Sequence, residues 1–138
     1  MIILDPNVLS ALMRKTPDPA ALEWFAQQPA ESIWITSIMH FEARLGLALL
    51  RKGRRRSALE SAFEELQVED LEGRILDSDR AAAAAALSAE RQRQGRTVDI
   101  RDTQIAGVVL ARRATFATRN VKHFSDLGAD IINPWESP

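Results

Sequence analysis

With 138 residues, 46% of them hydrophobic and 27% charged, the chain has the make-up of one globular domain spanning 1–138, not of a disordered or fibrous protein. The lack of any cysteine excludes disulfides, thiolate metal sites and cysteine nucleophiles, and suits a reducing cytoplasm. A net charge of −1 does not advertise a nucleic-acid partner, although basic residues gather at 51–56, around Arg91, Arg93, Arg96 and Arg101, and at Arg112, Arg113 and Arg119.

The opening run Met1-Ile2-Ile3-Leu4 is apolar and ends in Asp5, too short and too little flanked by basic residues for a signal peptide or a membrane span. It reads as a first strand, Ile2 to Asp5, followed by a helix from Asn7 to Met13. Asp18-Pro19 then starts a second helix, a capping residue followed by proline in the first helical position, and Pro29 stops it. Ile33 to Thr36 is a second strand, after which Ser37 caps a third helix to about Leu50, closed by Gly53. A fourth helix covers Arg54 to about Glu69, and Arg74 to Leu76 is a third strand. The alanine run Ala81 to Ala86 is a fifth helix, capped by Ser78 or Asp79 and ended by Gly95. Asp99 is placed as N-cap of a sixth, whose Ile105, Ala106, Val108 and Val109 face the sheet. Thr115 to Ala117 and Asp130 to Ile132 complete five strands. Short strands alternating with helices predict an α/β fold on a parallel sheet.

In such sheets ligands sit beyond the carboxyl ends of the strands, where helix N-termini gather. Asp5, Asp102 in the first turn of helix six, and the turn Thr118-Arg119-Asn120 fall at that edge. Glu42, about a turn into helix three, reaches it if its face points inward. A carboxylate at a strand end with another in a helix's first turn is the hard oxygen chemistry suited to Mg²⁺ or Mn²⁺, and so to phosphate substrates. His40 and His123 show no partner at a useful spacing and read as ordinary helix or loop residues; Trp24 and Trp34 read as core or partner surface.

The segments Ile2-Ile3-Leu4-Asp5-Pro6-Asn7-Val8, Phe41-Glu42-Ala43-Arg44-Leu45-Gly46, Asp102 with Gln104-Ile105-Ala106, Ala117-Thr118-Arg119-Asn120 and Ile132-Asn133-Pro134-Trp135, in this order, resemble the PIN-domain ribonucleases of the VapC group and its FitB-like branch. The resemblance covers nearly the whole chain. It implies an α/β/α sandwich around a parallel sheet, Mg²⁺-dependent cleavage of RNA, a cognate antitoxin with a ribbon-helix-helix DNA-binding domain, and a homodimer. In that reading Asp5, Asp102 and Glu42 hold the metal, and Mn²⁺ substitutes for Mg²⁺. Asn120 stands at the family's fourth acidic position and completes the catalytic set. Thr118 hydrogen-bonds a carboxylate or a phosphate oxygen, and Arg119 contacts the RNA backbone. Pro6 departs from the threonine or serine usual after the first aspartate, removing a hydroxyl and an N–H. Two other readings remain: a PIN-fold binding module weakened by Pro6 and Asn120, and a receiver-like Mg²⁺-binding signalling domain with Asp77 as phosphoacceptor.

Overall fold

A computed structural model describes residues 1–71, 74–76, 81–96 and 99–136. Five parallel strands, β1 (Ile2–Leu4), β2 (Ile33–Thr36), β3 (Ile75–Leu76), β4 (Thr115–Ala117) and β5 (Ile131–Ile132), form one sheet in the order β3-β2-β1-β4-β5. All five expected strands are present, each within a residue or two of its expected bounds. The helices are α1 (Pro6–Met13), α2 (Pro19–Gln27), α3 (Ser37–Leu49), α4 (Arg54–Glu65), α5 (Ala81–Arg93) and α6 (Ile100–Arg112).

The strands are short apolar runs because both faces of the sheet are covered. On β1 the alternation of side chains sends Ile3 into a cluster with Ile105, Val108 and Val109 of α6, and Leu4 into one with Val8 of α1, Met39 of α3 and Phe63 of α4. Ile3 pairs with Trp34 on one side and Phe116 on the other, which makes β1 the middle of the sheet. Strand order reverses between β1 and β4, the position where parallel sheets open a crevice at their carboxyl ends.

Local chemistry explains the helix boundaries. Asp18 accepts hydrogen bonds from the amides of Ala20 and Ala21, and Asp99 from those of Arg101 and Asp102, as the sequence predicts. For α3 the cap is Thr36, not Ser37: its hydroxyl accepts from Met39 N at 3.1 Å, because Thr36 still has extended geometry while Ser37 is already helical. Helix α3 ends at Leu49, so Gly53 is the N-cap of α4 and not the stop of α3. Regular α4 ends at Glu65, and the chain continues to Asp70 as a wider π-type turn, with Leu71 N bonding back to Leu66 O. Beyond α5, Gly95 takes φ +72°, a left-handed conformation that favours glycine. The proposed caps Ser78 and Asp79, and Asp77, lie outside the described residues.

Helices α5 and α6 approach closely at Gly107, where a Cβ would stand 2.8 Å from both the Cβ and the backbone N of Ala84. A second tie joins α5 to the 3-10 segment Val121–Leu127. Arg91, 1% exposed, donates through Nε and Nη2 to the two carboxylate oxygens of Asp126 at 2.9 and 3.1 Å, and Arg96 adds a 2.8 Å contact to Asp126. Both arginines also donate to the backbone carbonyl of His123. Arg91 and Arg96 are thus structural cations, engaged within the fold.

Candidate active site

Asp5 follows β1 directly, and its amide donates to Ala117 O at the end of β4, which draws the two strand ends together. Although it occupies the N-cap position of α1, its side chain caps nothing. Pro6 explains how the helix starts there: it needs no N–H at the first helical position, and its fixed φ suits a helix entry. The Asp5 carboxylate therefore faces the sheet edge. It is 5% exposed and accepts two hydrogen bonds on the same oxygen, Oδ2, from Thr118 Oγ1 at 2.5 Å and from Asn7 Nδ2 at 3.0 Å. Burial is the main reason its pKa is pushed up to about 6; the bond from Thr118 opposes the rise, and the charges of Asp102 and Glu42 add to it.

Asp102 lies in the first turn of α6, positioned by the Asp99 cap. Desolvation raises its carboxyl above the ordinary range, and Asp99 raises it further, while His123 and Arg91 pull it down. Glu42 on α3 is likewise raised, chiefly by desolvation, against the pull of Arg101, whose Nε is 4.0 Å from its Oε1. Asp102 and Glu42 both raise Asp5, and Asp102 raises Glu42, so the carboxylates of three separate elements stand within electrostatic reach of one another.

The remaining expected residues divide. Thr118 is fully buried and its hydroxyl is committed to Asp5, so it positions the carboxylate and is not available to touch a substrate; of its two expected uses, the geometry matches the carboxylate contact. Asn120 and Arg119 are exposed on the wall of an open cleft of about 760 Å³ that also includes Asp102, Lys122, His123 and Asn133. The guanidinium of Arg119 lies over Trp135, 4.8 Å from the ring centre. Sequence reasoning missed His123. Its Nε2 stands 3.3 Å from Asp102 Oδ2, and the only signal in the sequence is its place just past β4, at the edge where ligands gather.

On the far side of Glu42 runs a groove of about 430 Å³ between α1, α3 and α4, lined by Leu9, Met13, Met39, Leu47, Leu50 and Leu59, with Arg14 and Arg55 at its margin.

A family model for the PIN domain matches residues 2–129. The chain belongs to the PIN-domain family. This PIN domain is 37% identical over 138 residues to a VapC ribonuclease of Sinorhizobium fredii, an alignment covering 99% of both chains. It is 31% identical over 137 residues to the toxin FitB of Neisseria gonorrhoeae, covering 98% of this chain and 99% of FitB. Among solved structures, FitAcB from Neisseria gonorrhoeae superposes with a TM-score of 0.88 at 30% identity, covering 99% of this chain and all of that one. VapBC2 from Rickettsia felis, bound to a promoter DNA fragment, gives 0.77 at 26%, covering 96% and 98%. The five-stranded parallel sheet between helical layers is the PIN-like α/β/α sandwich that the sequence leads one to expect.

The donor set of this PIN domain fits a hard divalent cation. Asp5, Asp102 and Glu42 offer only oxygens, and each carboxyl is held above its ordinary pKa, a strain that a nearby cation relieves. Among the described residues no three His, Cys, Asp or Glu side chains form a ready-made chelating group. Mg²⁺ does not require one, since it keeps several waters and takes one or two carboxylates.

Proposed function

We propose that this PIN domain is a divalent-metal-dependent endoribonuclease and the toxin of a type II toxin–antitoxin pair. The observation that carries the reading is the Asp5 carboxylate, buried at the sheet's switch point and raised in pKa by that burial first, with Asp102 and Glu42 adding to it. The similarity to a VapC ribonuclease along the full length of both chains supports it. Asp5 and Asp102 would hold Mg²⁺, for which Mn²⁺ substitutes, with Glu42 as a further ligand or as the group that positions water. When bound, such an ion neutralises charge on the scissile phosphate and supplies a water of lowered pKa. Thr118 and Asn7 keep the Asp5 carboxylate in place through their bonds to Oδ2. Asn120 contributes a neutral oxygen from the cleft wall, and Arg119 and Lys122 offer positive charge to the RNA backbone.

The partner in this reading is a small antitoxin with a ribbon-helix-helix domain. The apolar groove that ends at Glu42 suits an amphipathic segment of that partner, and an arginine at its end would pair with the site carboxylates in place of metal. FitAcB and the DNA-bound VapBC2 support a partnered, operator-binding assembly. Exposed Phe41, Leu49 and Ile100 supply apolar surface for a homodimer. The place of action is the cytoplasm; among the described residues no helix is long and apolar enough to cross a membrane.

The test is a cleavage assay with antitoxin-free protein on structured RNA. Cleavage with Mg²⁺ or Mn²⁺ should stop with EDTA, and Asp5→Asn or Asp102→Asn should lower the rate by orders of magnitude. Cleavage undiminished in EDTA rejects the reading. Metal binding without cleavage would leave a binding module.

A further inference from the structure

His123 stands apart from the other groups at the site because it brings nitrogen to a set of oxygens. Its Nε2 is buried and has no hydrogen-bond partner, yet it faces Asp102 Oδ2 at 3.3 Å. At 3.3 Å the imidazole nitrogen is within ion-pair reach of the carboxylate, and the same spacing lets both serve one cation. In an octahedral ion with ligands at about 2.1 Å, neighbouring donors lie about 3 Å apart. The 3.3 Å between His123 Nε2 and Asp102 Oδ2 is close to that spacing.

The position of the ring is also constrained. The His123 carbonyl accepts from Arg91 Nη2 at 3.4 Å and Arg96 Nη2 at 3.1 Å, and its amide donates to Asn120 O at 3.0 Å. The imidazole packs edge-on against Phe124, centroids 4.7 Å apart, and Phe124 is itself wedged against Phe116 of β4. Asn120, by contrast, is exposed, and its ties are those of its backbone, the amide to Thr118 Oγ1 and the carbonyl to the His123 amide.

Resting on the metal-dependent reading above, the geometry points to His123 Nε2 as a direct nitrogen ligand of the divalent ion, adjacent to Asp102. The consequence is a change in metal preference. An imidazole suits Mn²⁺ and the later first-row ions better than it suits Mg²⁺, whose partners are oxygens.

Mn²⁺ titrated into the full-length, antitoxin-free protein and read by calorimetry and pulsed EPR tests this without any RNA. The wild type should show the hyperfine coupling of a directly bound imidazole nitrogen. His123→Ala should lose it and bind Mn²⁺ at least about tenfold more weakly, with a smaller change for Mg²⁺. The chain has two histidines, so His40→Ala, which should keep the signal, is the control. If His123→Ala fails to fold, His123→Asp supplies an oxygen instead: it should retain Mn²⁺ and lose the nitrogen coupling. Bound Mn²⁺ with no imidazole coupling in the wild type would overturn the assignment while leaving the metal-dependent reading intact. No Mn²⁺ bound even at millimolar concentration would overturn both.

Discussion

Thr118 gives its hydroxyl to Asp5 at 2.5 Å, across 113 residues of chain. The bond stabilises the ionised form of a carboxyl that burial works to neutralise. Thr118→Val keeps the shape of this fully buried side chain and removes the donor. The Asp5 pKa should then rise beyond about 6, so more protons must be displaced on metal binding at neutral pH. Mn²⁺ affinity measured from pH 5 to 8 should fall in the wild type as pH drops through about 6, and the variant's fall should begin at higher pH. Superimposable profiles would show that the bond does not control the carboxylate.

The same raised pKa sets a stability trend in the metal-free protein. The folded carboxyl titrates near 6 and the unfolded one near 3.8, so between these values the folded state binds more protons. Stability therefore declines as pH rises through this window, and the penalty is complete above pH 6. Asp5→Asn removes that penalty, so in EDTA the variant should be the more stable protein at pH 7.5, by about 1 to 3 kcal/mol. The advantage should shrink toward pH 4. Thermal melts at both pH values measure it, and a variant less stable than wild type at pH 7.5 would contradict the sign.

Local signals made much of this molecule legible. Strands appear as short apolar runs because both sheet faces are covered, and Asp99 reads as a cap because capping acts within three residues. Asp5 and Asp102 could be found because a strand end and a helix start are local events, and the geometry puts both at one edge. What sequence did not reveal depends on distant partners. Arg91 sits in a run of basic residues that looks like a solvated helix end, and Asp126, 35 residues later, is what makes it a core residue. His123 has no neighbour in sequence that foretells Asp102, because the contact joins the segment after β4 to α6. Thr36 competes with Ser37 as a cap, and only the backbone conformation decides between them.

The buried ion pair yields a stability prediction of its own. Asp126→Ala leaves the Arg91 guanidinium, 1% exposed, without its bidentate partner. Stranding one member of a buried pair costs about 3 kcal/mol or more. Urea unfolding should show a loss of this order, with loosening centred on the 121–127 segment in hydrogen exchange. A change below about 0.5 kcal/mol, the range of ordinary surface substitutions, would mean that the pair is dispensable.

Gly107→Ala tests the contact between α5 and α6. The new methyl would lie 2.8 Å from Ala84 Cβ and from its backbone N, and 2.9 Å from its Cα, so the helices must part. Overpacking of this kind costs about 1 to 3 kcal/mol, which exceeds the gain in helix propensity from replacing glycine. Adding Ala84→Gly should rescue only partly, since two of the three close atoms are main chain. Chemical denaturation of the single and double variants reads both effects, and full rescue would show that only the methyl groups collide.

The central place of β1 has a bearing on when the protein becomes competent. Ile3 needs Trp34 on one side and Phe116 on the other, so β1 is enclosed only once the much later strand β4 has joined it. A ribosome-bound fragment ending before Thr115 lacks β4 and leaves one edge of β1 open, with Asp5 deprived of Thr118. Asp102 in such a fragment has no His123 beside it. Assembly of the site is thereby tied to the docking of β4 against β1, and a chain cut before Thr115 cannot hold the Asp5 carboxylate as the whole domain does.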